Sequence, residues 1–465
     1  MELETPGQRG RLTEDWLAIL LGGALLAVCL AAVALEYQRT FAPQQPKPAS
    51  IANPLKPYLA TPGGWANSPL EAFSGVGVGI VGAGLVLLVV FTIGNSLSGG
   101  AAVRRFLPGF AALFTLATLA MLLSEQAVVD YYGLAYAVWA IALGLIVANL
   151  FGTPGWLRPA LRTELFVKTG LVLYGAEVLI GKLLALGLPG ICIAWIVTPV
   201  VLIMTYWFGQ RVLRIESRTL NMVVSADMSV CGVSAAIATA AACKAKREEL
   251  SVAIGLSLAF TALMMVVMPP VSRLMGLNEV VAGAWIGGTI DSTGAVGVAG
   301  AALGDTALLV AATIKMIQNC LIGVVAFGVA TYWTTVVERD PAASTRITFA
   351  GAAAEIWRRF PKFLFGFLGA SLFFSALAAW HPEGEPLVAS TISGATKTLR
   401  TWCFCISFTS IGLESDFREL SRHLRGGKPL VLYVCGQGLN LVLTLLMALL
   451  VFEVLFPGAA DALAK

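Results

Sequence analysis

The chain has 465 residues, of which 57% are hydrophobic and 12% are charged, and its mean hydropathy is +0.82. Soluble domains carry about 25% charged residues, so this composition excludes an ordinary soluble protein and indicates one that lies in a bilayer. The net charge of +4 gives no indication of a nucleic-acid partner, because the basic residues lie in loops where membrane topology explains them.

Apolar segments follow one another along almost the whole chain. A spanning helix needs about 20 apolar residues, and this length predicts about thirteen such segments. The first has no small-residue cleavage pattern and is too long for the apolar part of a signal peptide, so we expect a retained span. In chain order the predicted segments are 16–35, 72–98, 105–124, 132–151, 164–187, 188–209, 219–243, 251–270, 280–303, 306–333, 363–380, 397–413 and 429–456.

Two stretches interrupt this series. Residues 36–71 are rich in Pro and Ala and predict an external loop of polyproline II character. Residues 338–362 are short and basic and predict a cytoplasmic loop. We expect no separate soluble domain.

The basic loops also predict orientation, since cytoplasmic loops carry the excess of Lys and Arg. They predict a multi-pass protein whose N-terminus is inside, in the cytoplasm, and whose C-terminus is outside, which is the periplasm in the bacterial-type inner membrane that we expect. The loop 244–247 does not fit if 219–243 crosses fully, so about eleven spans plus two re-entrant elements stay as an alternative to about thirteen spans. The basic residues assigned to the cytoplasm are Arg104, Arg105, Arg158, Arg162, Lys168, Arg211, Arg214, Arg218, Arg339, Arg346, Arg358, Arg359, Lys362, Arg418, Arg422, Arg425 and Lys428.

Two segments cannot be ordinary lipid-facing helix. SADMSVCGVSAA at 225–236 and GGTIDSTGAVGVAG at 287–300 each combine one aspartate with a run of Gly, Ser and Thr. Irregular backbone survives at membrane depth only where protein or a water-filled cavity surrounds it. The pair therefore predicts a transporter whose binding site is built from broken helices, with plain small-residue packing as the alternative.

Three charged residues lie deep in the predicted spans. An ionised side chain at a helix centre costs about 2.5–3.5 kcal/mol, so Asp227, Asp291 and Lys315 are candidate functional groups. We expect the two aspartates to take part in ion coupling. Lys315 either meets an anionic substrate or serves as a structural counter-ion for an aspartate.

Three further charges, Glu177, Lys397 and Arg400, lie nearer the predicted span ends. Long charged side chains at such positions reach the interface while their stems stay in apolar surroundings. We therefore expect these three to have no role inside the membrane.

The start of a half-helix has free backbone N–H groups and the positive end of the helix dipole, which favour an anion. Both glycine-rich segments offer such a start. The predicted substrate-binding residues are Ser229, Cys231, Gly232, Ser234, Ser292, Thr293, Gly294, Lys315 and Asn319.

Other motifs do not predict chemistry. Gly77–Gly82 matches a dinucleotide-binding pattern, but no strand precedes it, and we expect a small-residue face for helix packing instead. The eight cysteines all fall in apolar segments and are expected to be buried thiols. No cofactor and no metal site is expected. An intramembrane enzyme with Cys231 or Ser234 beside Asp227 is the alternative from another class.

Four motifs together resemble one family. CGVSAA at 231–236, IDST at 290–293, TIK at 313–315 and GLESDFREL at 412–420 are similar in order and spacing to the YeiH-like sulfate exporter family, over about 134–452. In that family the second motif reads Ile-His-Asp-Thr, whereas here Asp291 stands in place of the histidine and Ser292 in place of the acid. This departure leaves the coupling ion and the substrate open.

The resemblance implies an all-α polytopic fold with inverted repeats, akin to sodium/proton antiporters and bile-acid symporters. It also implies a homodimer with elevator-like movement. On this basis residues 1–131 would be additional N-terminal spans and 132–465 the transporter unit of core and scaffold helices. The implied function is secondary transport of a small anion, such as sulfate, a related sulfur oxyanion or an organosulfonate. A Na⁺- or H⁺-coupled importer or antiporter of another organic anion is the alternative.

Overall fold

The structure is a computed structural model in which every regular element of the described residues is helical. A single isolated bridge joins Trp65 and Gln126. Eight of the described helices are long and apolar enough to cross a membrane. The prediction of an all-helical, multi-pass membrane protein is confirmed. The described residues are 12–40, 51–100, 102–131, 135–178, 180–338, 362–415 and 427–464.

Twenty α-helices follow one another in the described part of the chain, and five of them continue into a wider π-helical turn. They are α1 Glu14–Thr40, α2 Gly77–Leu97, α3 Val103–Ser124, α4 Ala127–Tyr131, α5 Tyr136–Ile146, α6 Thr163–Gly175, α7 Ile180–Ile191, α8 Val197–Arg211, α9 Arg218–Ser229, α10 Val233–Ala242, α11 Arg247–Leu274, α12 Glu279–Thr289, α13 Thr293–Ala301, α14 Asp305–Asn319, α15 Leu321–Tyr332, α16 Phe363–Trp380, α17 Gly384–Thr391, α18 Lys397–Glu414, α19 Lys428–Leu449 and α20 Pro457–Ala464.

The chain forms two compact units. Unit 1 comprises Lys182–Pro361 and Phe417–Lys465. Unit 2 comprises Glu2–Gly181 and Lys362–Asp416, so it contains the N-terminal spans together with α5, α6 and α16 to α18. The proposed division at residue 131 concerns which spans carry transport and stays a prediction.

In unit 2 the segment after α1 differs from the expected loop. α1 continues to Thr40, and the described part that follows contains the 3₁₀ helices Lys56–Tyr58 and Pro69–Phe73. The Trp402 indole donates a hydrogen bond of 2.9 Å to the carbonyl of Ala60, so the segment is held by side-chain contacts. Within the predicted loop 36–71, residues 36–40 are thus helical and two short 3₁₀ helices interrupt the described remainder, while its external location stays a prediction and 41–50 lie outside the described residues.

The predicted small-residue face of α2 does pack closely. A Cβ atom added to Gly79 would meet Ala60 within 3 Å, and one added to Gly84 would meet the ring of Phe114. α2 therefore packs both against the segment that contains the first 3₁₀ helix, at Ala60, and against α3, at Phe114. The other predicted loop, 338–362, is outside the described residues apart from its two ends, and so is 416–420 of the fourth motif.

Glu177 and Arg400 form a buried ion pair in unit 2, with 3.1 Å between Arg400 Nε and Glu177 Oε1. The Arg400 guanidinium also lies 4.7 Å from the centre of the Tyr174 ring. The expectation that both would reach the interface is wrong, because α17 and a π-helical turn precede α18 without interruption. Arg400 is thus far from the end of its helix, whereas Lys397 is exposed.

Helix α7 corrects another predicted boundary. No break lies between 187 and 188; the described residues 176–178 form a turn instead, and helix continues from Ile180 through the π-helical turn Cys192–Ile196 to Arg211. Pro189 is inside α7. A proline removes one backbone hydrogen bond and can bend a helix without ending it.

All eight cysteines are free thiols. Cys29, Cys243, Cys403 and Cys405 are buried as predicted, whereas Cys435 is exposed. The prediction of eight buried thiols is therefore wrong in part, since an apolar segment does not specify which face of its helix is covered.

In unit 1, glycines allow α14 to pack directly on α12 and α13. A Cβ atom added to Gly283 would lie 2.6 Å from the carbonyl oxygen of Ala307, and one added to Gly287 would lie 2.5 Å from that of Ala311. Small residues permit this close approach between helices in a membrane. α14 is the helix that carries Lys315, so the glycines determine how near Lys315 comes to α12.

We expect Gly287→Ala to destabilise the protein by about 1–3 kcal/mol, because the added methyl group must displace the backbone of α14. Gly297→Ala is a matched control on α13, where an added Cβ meets nothing within 4 Å; it should be neutral or stabilise by up to about 1 kcal/mol. Thermal unfolding of both variants in the same detergent checks this. Equal midpoints for the two would contradict the packing argument.

Candidate functional site

The first break, Val230–Gly232, separates α9 from α10 in unit 1. Gly232 has a φ of +66° and donates its N–H to the Asp227 carbonyl over 2.9 Å. Only glycine adopts such a conformation without strain. A Cβ atom here would also lie 2.7 Å from Ser257 Oγ. The turn therefore depends on Gly232 for its conformation and for its space.

The second break, Ile290–Ser292, separates α12 from α13. Ile290 and Ser292 have extended backbone, and Ser292 precedes α13 without capping it through its side chain. Asp291 lies between them and is almost completely buried. Its Oδ2 accepts a hydrogen bond of 2.5 Å from the Tyr433 hydroxyl of α19.

The two breaks touch each other. A Cβ atom added to Gly232 would lie 3.2 Å from both the Cβ atom and the carbonyl oxygen of Asp291. The charges of Asp227, Asp291 and Lys315 lie near enough to interact. The structure thus brings together the three charged residues that the sequence singles out.

Asp227 has an unusual environment. It is completely buried near the end of α9. Within the described residues, neither of its carboxylate oxygens accepts a hydrogen bond of normal distance and angle, although the Ser257 hydroxyl lies near enough to interact with the carboxylate. A buried carboxylate without partners is costly and requires a proton, a cation or ordered water to satisfy it.

Lys315 is completely buried, and its ammonium group donates hydrogen bonds to uncharged acceptors. Nζ donates to the Val230 carbonyl over 2.7 Å and to Gln318 Oε1 over 2.8 Å. No carboxylate oxygen of the described residues lies within 4.0 Å of Lys315 Nζ, the distance that defines an ion pair. Lys315 therefore offsets the negative end of the α9 dipole more directly than it balances either aspartate.

Gln318 connects both breaks. Its Nε2 lies 3.1 Å from the Ser229 carbonyl, 3.3 Å from the Gly288 carbonyl and 3.1 Å from Thr198 Oγ1. Ser229 ends α9 and Gly288 lies in the last turn of α12, so one amide serves the carbonyl ends of two broken helices.

Helix α19 supplies further partners. Gln437 Nε2 donates to the Thr289 carbonyl over 2.8 Å, and Asn440 Nδ2 donates to the Met228 carbonyl over 3.4 Å. Together with Tyr433 and Thr444 these residues recur at intervals of 4, 3 and 4 in an otherwise apolar segment. This spacing places them on one helix face and is the signal that the sequence prediction missed.

The remaining predicted residues occupy different positions. Asn319 Nδ2 donates to Thr293 Oγ1 over 3.2 Å, which joins α14 to the first turn of α13. Cys231 is half-buried beside the three charges, and Gly294 is buried in the first turn of α13. Ser234 is exposed, and no described contact joins it to the charged residues.

The arrangement offers two kinds of binding group. The two carboxylates can hold a cation or a proton, while the first turns of α10 and α13 present backbone N–H groups to an anion. Among the residues that the structure describes, no group of three His, Cys, Asp or Glu could hold a metal ion.

Comparisons with known proteins agree on one family. A family model described as conserved hypothetical protein 698 matches residues 108–433. A UPF0324 membrane protein of Rhodopirellula baltica is 60% identical over 410 residues, which cover 88% of this chain and 74% of that protein. One of Nitratidesulfovibrio vulgaris is 53% identical over 376 residues, or 80% of this chain and 64% of that protein, so this chain spans just under two thirds of it.

A more distant relative, from Nitrosomonas europaea, is 27% identical and aligns over 88% of this chain and 89% of its own length. No solved structure matches the chain. The family model covers well over half of the sequence, including both breaks and Lys315. The chain therefore belongs to the UPF0324 membrane protein family.

Proposed function

We propose that the protein is a secondary active transporter of a small anion. The observation that carries this proposal is the contact between two helix breaks inside a buried bundle, with Asp227, Asp291 and Lys315 around it. Broken helices that meet are how many transporters build a substrate site near the bilayer midplane. An inert scaffold has no need for three buried charges at an interrupted backbone.

The anion would bind at the first turns of α10 and α13. Their unpaired N–H groups belong to Val233 and Ser234 in one helix and to Thr293 and Gly294 in the other, where the helix dipole favours negative charge. The resemblance to the YeiH-like sulfate exporter family makes sulfate, a related sulfur oxyanion or an organosulfonate the first substrates to test. Lys315 would not contact the anion directly. Its ammonium group would add positive charge near the site while it donates to the Val230 carbonyl in the first break.

Coupling would use the two carboxylates. Asp227 has two buried oxygens without hydrogen bonds, and Asp291 keeps one oxygen outside its bond with Tyr433. A sodium ion or a proton between them would satisfy these oxygens. This observation also favours the second candidate, an importer or antiporter of another organic anion driven by Na⁺ or H⁺.

The rest of the proposal follows the resemblance. It comprises a homodimer in a bacterial-type inner membrane with elevator-like movement, a cytoplasmic N-terminus and a periplasmic C-terminus. We propose no catalytic activity, because a nucleophile must be hydrogen-bonded to its base. Ser234 is exposed and has no described contact with Asp227, and Cys231 lies beside the three charges without a hydrogen bond to the Asp227 carboxylate.

Purified protein in proteoliposomes tests the function. Uptake of radiolabelled sulfate, thiosulfate, a sulfonate and a dicarboxylate is compared under an imposed Na⁺ gradient, an imposed pH gradient and neither. We expect one of these anions to accumulate against its gradient under one driving ion. Leakage equal to that of empty liposomes for every anion and gradient would reject the proposal.

A further inference from the structure

A groove with a volume of about 730 Å³ lies on unit 1, between α8 and α15. The volume is within the roughly 300–1,000 Å³ of ordinary ligand sites. Most of the lining is aliphatic or aromatic, from residues such as Leu202, Ile203 and Val324, and the proposed transport uses none of it. Among the lining residues Arg211 and Arg218 are charged, and none is acidic.

The length of the groove corresponds to one leaflet. Its lining on α8 extends from Pro199 to Arg211, which at 1.5 Å per residue is about 18 Å. Half of the hydrocarbon core measures about 15 Å. α15 lies alongside in the same direction, since the Trp195 indole bonds to the Ile317 carbonyl and the Tyr206 and Tyr332 rings are 6.0 Å apart.

The polar features lie together at one end. α8 ends at Arg211 and α9 begins at Arg218, so the two arginines flank the same inter-helix turn, and both line the groove. Trp207, which is 58% exposed, and Tyr332 line the groove near this end. Such amphipathic rings favour the level of the lipid headgroups.

We propose that this groove binds an anionic phospholipid, with its phosphate at Arg211 and Arg218 and an acyl chain along α8 and α15. A cationic end joined to an apolar channel of one leaflet's depth complements a molecule with a negative head and an alkyl tail. The proposal is independent of the transported anion. It requires only that the helices lie in a bilayer.

Native mass spectrometry and thermal shift of the full, delipidated protein in detergent test it. The probes are dioleoyl phosphatidylglycerol, dioleoyl phosphatidylcholine with the same chains, and glycerol 3-phosphate as the head alone. We expect phosphatidylglycerol to bind and raise the unfolding temperature, with phosphatidylcholine at least about tenfold weaker. Glycerol 3-phosphate should have no effect at equal concentration.

Two variants address the two ends of the groove. The double variant Arg211→Gln with Arg218→Gln should bind phosphatidylglycerol about ten- to thirtyfold more weakly. Arg214→Gln is the matched control, because Arg214 is exposed in the same turn and does not line the groove. Gly328→Leu should block the apolar part with both arginines in place, since a side chain there meets open space.

Each contrary result has a clear meaning. Equal affinity for the two lipids, or for the parent and the double arginine variant, would overturn the proposal. Competition by glycerol 3-phosphate as effective as that by the lipid would show a site for free anions instead. If the double arginine variant or Gly328→Leu changed the fraction of dimer but bound phosphatidylglycerol like the parent, a second copy of the chain would cover the groove instead of a lipid.

Discussion

Replacing Lys315 with alanine is expected to lower the free energy of unfolding by about 3–5 kcal/mol. The change removes a completely buried ammonium group, leaves the Val230 carbonyl and Gln318 without their donor, and creates a cavity between α14 and the first break. It also removes a cation whose charge interacts with both aspartates. Thermal unfolding in detergent and the monodispersity of the purified variant measure the effect.

Lys397→Ala is the matched control, because Lys397 is an exposed lysine in a membrane helix of unit 2. Because its side chain is exposed, this variant should lose much less stability than Lys315→Ala. Lys315→Ala with parental stability but without ligand-induced stabilisation would contradict the structural role and support direct contact with the anion. Neutralising Asp227 in the Lys315→Ala background should recover only part of the loss, because the unbonded carbonyl stays.

If Asp291 carries the coupling ion as proposed, Asp291→Asn is expected to lower gradient-driven uptake by more than about tenfold while substrate exchange continues, because only that charge is lost. The amide has the shape of the carboxylate, and its oxygen can still accept the Tyr433 hydroxyl proton, so the fold should persist. Proteoliposomes with imposed Na⁺ or pH gradients measure uptake. Counterflow without any gradient measures exchange.

Two comparisons separate charge from position. Tyr433→Phe keeps the carboxylate and removes its hydrogen bond, so it should reduce coupling less than Asp291→Asn does. Asp130→Asn changes an exposed acid of unit 2 and should leave uptake unchanged. Undiminished uptake by Asp291→Asn under both gradients would remove Asp291 from coupling and leave a facilitated anion pathway.

The sequence predicts the fold class and the location of the breaks because both have large energetic signatures. A membrane helix must be apolar over its length, and a buried aspartate or lysine is retained only at a cost. Gly232 and Asp291 can therefore be identified from the sequence, and the structure places them next to each other.

What the sequence does not predict depends on contacts between distant segments. Nothing in their residue type distinguishes Gln318, Gln437 and Asn440 from other polar residues. Their role becomes visible only in the structure, where their side chains donate to carbonyl groups at the ends of α9 and α12. The expectation that Arg400 reaches the interface is wrong for the same reason, because its ion-pair partner Glu177 is distant in the sequence. The break expected between 187 and 188 is wrong because apolar residues continue on both sides of the true break, so hydropathy alone does not indicate where one helix ends.

The Gln318 side chain also restricts how this site can move. One amide group spans the Ser229 and Gly288 carbonyls, so a displacement of the first break relative to the second would leave at least one buried carbonyl unsatisfied in an apolar medium. Sliding the two breaks together as a rigid body breaks none of these bonds. If the proposed transport moves this site, we expect α9, α10, α12, α13 and α14 to move as one piece, together with α8 and α19, whose side chains bond to the same two breaks.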